Sequence, residues 1–230
     1  MAALPAGHRR RLSALWRSAG WPAHDAVELD LLAAGLLTRT WDAQGRETLR
    51  VTEAGIVAMA AQRQRHRASR EGHEALVARV AAEMHRAGRL VWCALAVRAP
   101  LVDADGRTRW SSAIPDVFSI RNTTVEGYLE PVVHEIKVSR SDLLADLRSA
   151  SKREAYLAVS GACWYVLRAG IGGVDDVPED FGVLEAHAER LELLRPARRR
   201  SVQPSLATWM ALARTDAWRP PPDAEPQQAL

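Results

Sequence analysis

The run Val132-Val-His-Glu-Ile-Lys-Val restricts the fold of this chain more than any other stretch of its 230 residues. It is apolar enough to be an interior strand, yet it carries two charges. Side chains of a strand alternate between faces, so Glu135 and Lys137 point one way while His134, Ile136 and Val138 point the other. The second face must meet a helix. The first becomes polar, and two charges in an otherwise hydrophobic strand are expensive without a partner or a task. Ile114-Pro-Asp-Val-Phe-Ser-Ile reads as the neighbouring strand, opened by Asp116. A hairpin through Asn122 to Gly127 would bring the Asp116 carboxylate beside that of Glu135.

Around this pair the periodicity sets out an α/β chain. Ala75, Leu76, Val80, Ala81 and Met84 recur at helical spacing between Glu71 and His85, and Gly88 ends that helix. Leu90 to Val97 is a strand, Asp103 to Gly106 a turn, and the segments opened by Ile114 and by Tyr128 are the second and third strands. Ser139 to Ala158 reads as helical, Ala162 to Leu167 as a fourth strand, and Phe181 to Leu194 as a final pair. The order is helix, three strands, helix, strand. Upstream, Leu12, Leu15 and Trp16 mark one helical face. Val27, Leu31 and Ala34 mark a second, which Gly35 ends, and Leu36 to Trp41 then faces Glu47 to Val51 across a turn at Asp42. Such an order resembles the winged helices of MarR-like regulators. The expected organisation is therefore a small N-terminal winged helix-turn-helix domain at 1–62, a basic linker or helix continuation at 63–70 and the main core at 71–197. A C-terminal helix at 198–218 and a polar, proline-rich disordered tail at 219–230 complete it.

Asp116, Glu135 and the backbone carbonyl of Ile136 make a hard oxygen site of the kind that suits Mg2+ or Mn2+. An ammonium beside metal-bound water, here that of Lys137, can orient or deprotonate the water and offset charge on a phosphate. Phosphodiester hydrolysis is the reaction these groups suit. With Pro115-Asp116 as a first motif and Glu135-Ile136-Lys137 as a second, residues 70–170 resemble the PD-(D/E)xK nuclease superfamily. The resemblance implies an α+β mixed-sheet, restriction-endonuclease-like core, with Asp116 and Glu135 on the metal and Lys137 serving the nucleophilic water. It also implies a metal-binding glutamate from the first core helix. Glu74 is the choice over Glu71, which sits where it offsets the helix dipole, and over Glu83. The run from Glu135 to Arg148, with Lys152-Arg-Glu-Ala-Tyr and Trp164-Tyr-Val, resembles the MmcB-like DNA repair proteins. Near the site, Arg140, Lys152 and Tyr156 would suit a phosphate or, alternatively, form local ion pairs on an exposed helix. In the first module Arg39, Arg46 and Arg50 are the DNA contacts of the wing, although Asp25, Glu28 and Asp30 on the preceding helix would repel phosphate.

Other chemistries find little support. Cys93 and Cys163 sit in apolar runs and share no zinc spacing with the histidines, and neither a phosphate-binding loop nor a nucleophile elbow occurs. A hydrophobic fraction of 47% with 26% charged residues describes a folded chain. No apolar run nears the roughly 20 residues of a membrane span, and the basic cluster at Arg9 to Arg11 follows too short an apolar stretch for a secretory signal. A cytoplasmic protein without a membrane partner is expected. The formal charge of +3 permits nucleic-acid binding without requiring it. The expectation is a metal-dependent DNA endonuclease of repair or of defence against foreign DNA, whose chemistry would also admit RNA. Its rivals are a non-enzymatic DNA-binding protein on a degenerate nuclease fold and a homodimer assembled through the N-terminal module.

Overall fold

A computed structural model describes residues 4–103 and 105–221, so most of the tail expected at 219–230 lies outside the described residues. The chain divides into two compact units, Met1–Arg70 and Glu71–Leu230.

In the first unit, α1 (Ala6–Trp16) and α2 (Ala26–Ala33) pack with a hairpin of β1 (Leu37–Trp41) and β2 (Glu47–Val51) and the start of α3 (Glu53–Arg86). Leu12, Leu15, Leu31, Leu36, Leu37 and Leu49 form its core. Trp16, expected on that face, is exposed because α1 ends at it. The hairpin turns on Asp42, whose carboxylate accepts from the Gln44 and Arg46 amides at 2.9 Å each. Gly45, at φ +74°, takes the left-handed step that other residues resist. Residues 63–70, read as linker or helix continuation, are helical throughout.

The second unit is built on a mixed six-stranded sheet. Its strands are β3 (Arg89–Cys93), β6 (Val117–Arg121), β7 (Val132–Lys137), β8 (Ala162–Arg168), β9 (Gly182–Ala186) and β10 (Leu191–Arg195); β4 (Val97–Val102) and β5 (Thr108–Ala113) form a separate hairpin. The order is β10-β9-β8-β7-β6-β3, with β7, β8 and β9 mutually parallel and the other pairs antiparallel. Helices α4 (Arg140–Leu147), α5 (Ala150–Val159) and α6 (Leu206–Arg214) complete the unit. Each face of the sheet is covered. Val91, Val117, Ile136, Val138 and Val166 pack with Leu76, Val80 and Ala81 of α3. Phe118, Val133, Cys163, Tyr165 and Leu167 pack with Leu143, Ala155 and Tyr156 and with the β4–β5 hairpin.

Three segments differ from the sequence reading. Leu90 to Val97 is two strands, because Ala94 at φ +51° turns the chain out of the sheet and into the hairpin, whose strand β5 the reading lacked. The helix of 139–158 is two helices, interrupted between Leu147 and Ala150. The C-terminal helix spans only Leu206–Arg214: the chain before it is extended, the Arg200 amide donating to the Gly161 carbonyl at 2.8 Å, and Ser205 caps the helix by accepting from Thr208. Among the described residues, no helix is long and apolar enough to cross a membrane.

Candidate active site

Strand β7 delivers Glu135 and Lys137 to the face under α4 and α5. Ser139 then turns strand into helix, its hydroxyl accepting from the Asp142 amide at 3.3 Å. This cap sets Asp142 and Asp146 one turn apart, where both approach Lys137. Helix α5 returns over the same strand and brings Lys152 and Tyr156, also one turn apart. Tyr165 arrives from β8, opposite Glu135 in the parallel register.

Glu135 is only 4% exposed, and both its oxygens are engaged. Its Oε1 accepts from Lys137 Nζ at 2.7 Å and Lys152 Nζ at 2.6 Å, and its Oε2 from the Tyr156 hydroxyl at 2.8 Å. Asp146 repeats the pattern. Its Oδ1 accepts from Lys152 at 2.5 Å and lies 3.3 Å from Lys137 Nζ, and its Oδ2 accepts from the Tyr165 hydroxyl at 2.7 Å. Two carboxylates, two ammoniums and two phenols thus close a network in which each charge finds a partner and each carboxylate oxygen at least one donor. A buried ion pair needs that completeness to persist.

Burial alone would lower both lysines, but Glu135 outweighs it and holds Lys137 and Lys152 above the ordinary ammonium range. Burial also raises Tyr156, with Glu135 adding, and Tyr165, with Asp146 adding, so both remain phenols that donate. For Asp146 burial is overcome by the Lys152 and Tyr165 hydrogen bonds, and its pKa falls. Glu135 goes the other way: burial and the nearby Asp116 carboxylate raise it in spite of its two lysines.

Asp116 stands one step before β6, whose first residue Val117 pairs with His134, so the register carries Asp116 opposite Glu135. Strand β6 begins too late to pair the Ile136 amide, and Asp116 Oδ2 accepts from it at 2.7 Å instead. His73 Nε2 approaches the same oxygen at 3.4 Å. With His73 left aside, Asp116, Glu135, Asp142 and Asp146 stand against Lys137 and Lys152, four negative charges to two positive, a net of −2.

Lys137 meets Glu135 directly, and the strand register sets Asp116 opposite Glu135. Glu74 is exposed and makes no hydrogen bond or ion pair among the described residues; His73 takes the place beside Asp116. The buried stripe of α3 explains this, because His73 precedes Leu76 and Val80 at the spacing of one helix face and Glu74 falls off it. Arg140 forms a two-pronged pair with Asp176 at 2.6 and 2.7 Å, while Lys152 and the buried Tyr156 belong to the carboxylate network. In the wing, Arg39 pairs with Glu47 at 3.2 Å and Arg46 with Asp42 at 2.7 Å, whereas Arg50 is exposed with no ion pair among the described residues. Asp146, Tyr165 and His73 went unrecognised as site residues in the sequence, although Asp146 shares a helix face with Asp142.

Among the described residues, no group of three or more His, Cys, Asp and Glu side chains is gathered closely enough to cage a metal. Mg2+ commonly takes one or two carboxylates from the protein and fills its remaining positions with water and phosphate oxygens. Asp116 and Glu135, like charges on facing positions, have the donor chemistry for that share; burial first and Asp116 second raise Glu135, and a cation would offset both.

No protein-family model matches the chain, and no curated protein matches it. Among solved structures, the SPO1766 protein of unknown function from Silicibacter pomeroyi is similar over 59% of this chain and 77% of its own, at 21% identity and a TM-score of 0.39.

Proposed function

We propose that the second unit is a Mg2+- or Mn2+-dependent nuclease of the PD-(D/E)xK type that hydrolyses phosphodiester bonds of DNA, with Asp116 and Glu135 holding the metal. The observation that carries this reading is the net −2 around Glu135. Such a site repels a phosphodiester, and a divalent cation between the two carboxylates would reverse the sign. When bound, the cation would polarise a phosphoryl oxygen and lower the pKa of its water.

The chain's own groups supply orientation and charge. Lys137 and Lys152 hold one oxygen of Glu135 and Tyr156 holds the other, so the carboxylate is fixed in orientation. In the metal-free chain Glu135, against the effect of burial, holds Lys137 above the ordinary ammonium range, so it stands beside the carboxylate as donor and positive charge. Lys152 is the more open of the two ammoniums, its side chain 32% exposed against 6% for Lys137, and is the better placed to meet an incoming phosphate.

The first unit fits a winged-helix-like DNA module better than its acidic α2 suggests. Arg11 bonds to Asp25 and Glu28, His8 pairs with Asp30, and Glu28 is buried, accepting from the Ala23 and His24 amides. Arg11 thus offsets one of these charges, and Glu28 is turned into the unit, away from a phosphate.

The test is incubation of the purified chain with double-stranded, single-stranded and branched DNA in the presence of Mn2+. Cleavage that disappears in Asp116→Ala and falls in Lys137→Ala is expected. Absence of cleavage with every DNA, or cleavage that Lys137→Ala leaves untouched, overturns the proposal. Metal-independent, salt-sensitive binding that Asp116→Ala leaves unchanged would favour a DNA-binding protein on a non-cleaving fold.

A further inference from the structure

At the opposite ends of β7 and β8 lies a second charged site, which the nuclease reading does not use. A pocket of about 200 Å3 opens where these strands begin, lined among others by Arg89, Glu130, Gly161, Trp164, Arg199 and Arg200. About five residues of β7 separate it from Lys137, roughly 16 Å at the rise of a strand.

Arg200 is the unusual member. Its backbone is fixed: its amide donates to the Gly161 carbonyl at 2.8 Å, and the Gly161 amide in turn donates to the Pro131 carbonyl at 2.8 Å. A Cβ at Gly161 would stand 2.7 Å from the Arg200 carbonyl oxygen, so glycine is required for the approach. The guanidinium is not similarly satisfied. Nη2 reaches Cys163 Sγ at 3.7 Å, and the buried Nε and Nη1 have no hydrogen-bond partner among the described residues. Arg200 is half-buried, and leaving two shielded donors of a cation unpaired is a cost that an anion reaching them would offset. The thiol is no counter-ion, since burial pushes Cys163 up to about 11 and keeps it neutral.

The neighbours add charge and do not cancel it. Arg89 spends its donors on the Ser119 hydroxyl and on the Ser119 and Glu130 carbonyls, none of them charged. Burial, with Arg121 and Arg199 repelling it, lowers Arg89 to about 10 even though Glu130 opposes the shift. Arg199 is 3.5 Å from Glu130, which also pairs with Arg121 at 2.9 Å. Glu130 itself is held at φ +41°, a backbone state that a non-glycine residue adopts only under constraint. Around the pocket, three guanidiniums face one carboxylate, leaving a net charge of +2. A carboxylate ligand would neutralise half of that, whereas a phosphate monoester carries about −1.5 to −2 at neutral pH. Guanidinium is also the side-chain group best matched to phosphate oxygens.

We infer that this pocket is a phosphate-monoester site, in which Arg199 and Arg200 bind the terminal phosphate of a nucleotide, free or at the end of a nucleic-acid strand, with Arg89 behind them.

Titration calorimetry on the full chain, without added divalent metal, decides the matter using four probes: inorganic phosphate, dAMP, a 5′-phosphorylated single-stranded tetranucleotide and its 5′-hydroxyl counterpart. Binding of at least one phosphate-bearing probe is expected, at least tenfold weaker in both Arg200→Gln and Arg199→Gln and unchanged in Arg148→Gln, which alters an exposed arginine at the end of α4. Arg199 is 80% exposed, so its variant will fold even if Arg200→Gln does not. Tighter binding of dAMP than of the phosphorylated tetranucleotide assigns the site to free nucleotides, and the reverse order assigns it to strand ends. The inference fails if no probe binds, if the 5′-hydroxyl tetranucleotide binds as well as the phosphorylated one, or if both arginine variants bind like the parent. Because no metal is present, these results are independent of whether the chain cleaves DNA.

Discussion

The two ends of β7 and β8 handle buried charge in opposite ways. At the C-terminal ends, Glu135 and Asp146 share Lys137 and Lys152, and Tyr156 and Tyr165 complete the hydrogen bonding. At the N-terminal ends, Arg89 donates to neutral acceptors and Arg200 keeps two buried donors without partners among the described residues. The first end is internally satisfied but acidic in sum, and calls for a cation. The second is unsatisfied and basic, and calls for an anion. A strand has room for both because about five residues, roughly 16 Å, separate its two ends. The lesson is that complete hydrogen bonding and charge balance are different conditions, and a site can meet one while failing the other.

Removing an ammonium from the satisfied end should produce the largest effect. Lys152→Met leaves Glu135 and Asp146 to share Lys137, and breaking a buried network of this kind costs about 3–5 kcal/mol; urea unfolding of variant and parent measures it. A loss below about 1 kcal/mol would mean that the two ends are energetically alike after all.

Activity comes next. Lys137→Ala should lower Mn2+-dependent cleavage by about 10²–10³-fold, the usual consequence of removing one preorganised donor from a charged transition state. Single-turnover rates on end-labelled DNA read it, and Asp116→Ala should fall further because it removes a metal ligand.

Between the two ends sits His134, stacked on Trp164 with ring centroids 6.4 Å apart. Burial, aided by the charge of Arg89, lowers it from 6.5 to about 3. The unfolded chain therefore binds a proton as the pH falls through about 6.5, while the folded chain stays neutral until near 3. Its contribution to stability is fully present above that unfolded value and is lost as the pH falls between the two. The decline approaches about 1.4 kcal/mol per pH unit for one fully shifted group. Unfolding free energies measured from pH 7 to pH 4 should show a steeper acid loss in the parent than in His134→Phe. Parallel curves would show that the neutral state of His134 is not linked to folding.

The smallest effect belongs to the basic end. Arg199→Gln should change stability by no more than about 0.5 kcal/mol, as for an exposed side chain with a long ion pair. Together with Lys152→Met it brackets the comparison, and a thermal melt suffices to see the difference.

Much of this was legible in the residues themselves. Alternation along Val132 to Lys137 put Glu135 and Lys137 on one face, and Pro115-Asp116 marked the entrance to the adjoining strand, because the period of a strand is fixed by its backbone. The mixed α/β arrangement followed from the order of the apolar segments. What the charged face would meet did not. It reads as a polar face in sequence, yet α4 and α5 cover it and supply Asp146, Lys152 and Tyr156 as partners. Those contacts join residues up to 21 positions apart through the packing of two helices, and nothing local distinguishes Lys152 in the network from a lysine in water. The same holds for His73 in place of Glu74, which depends on the rotation of α3 against the sheet, and for Arg200, whose unpaired donors exist only because Gly161 lets an extended segment lie against the start of β8. Local periodicity sets which way a side chain leaves its own strand or helix. Only the packing of distant elements decides whether it finds solvent, a partner or an empty place for a ligand.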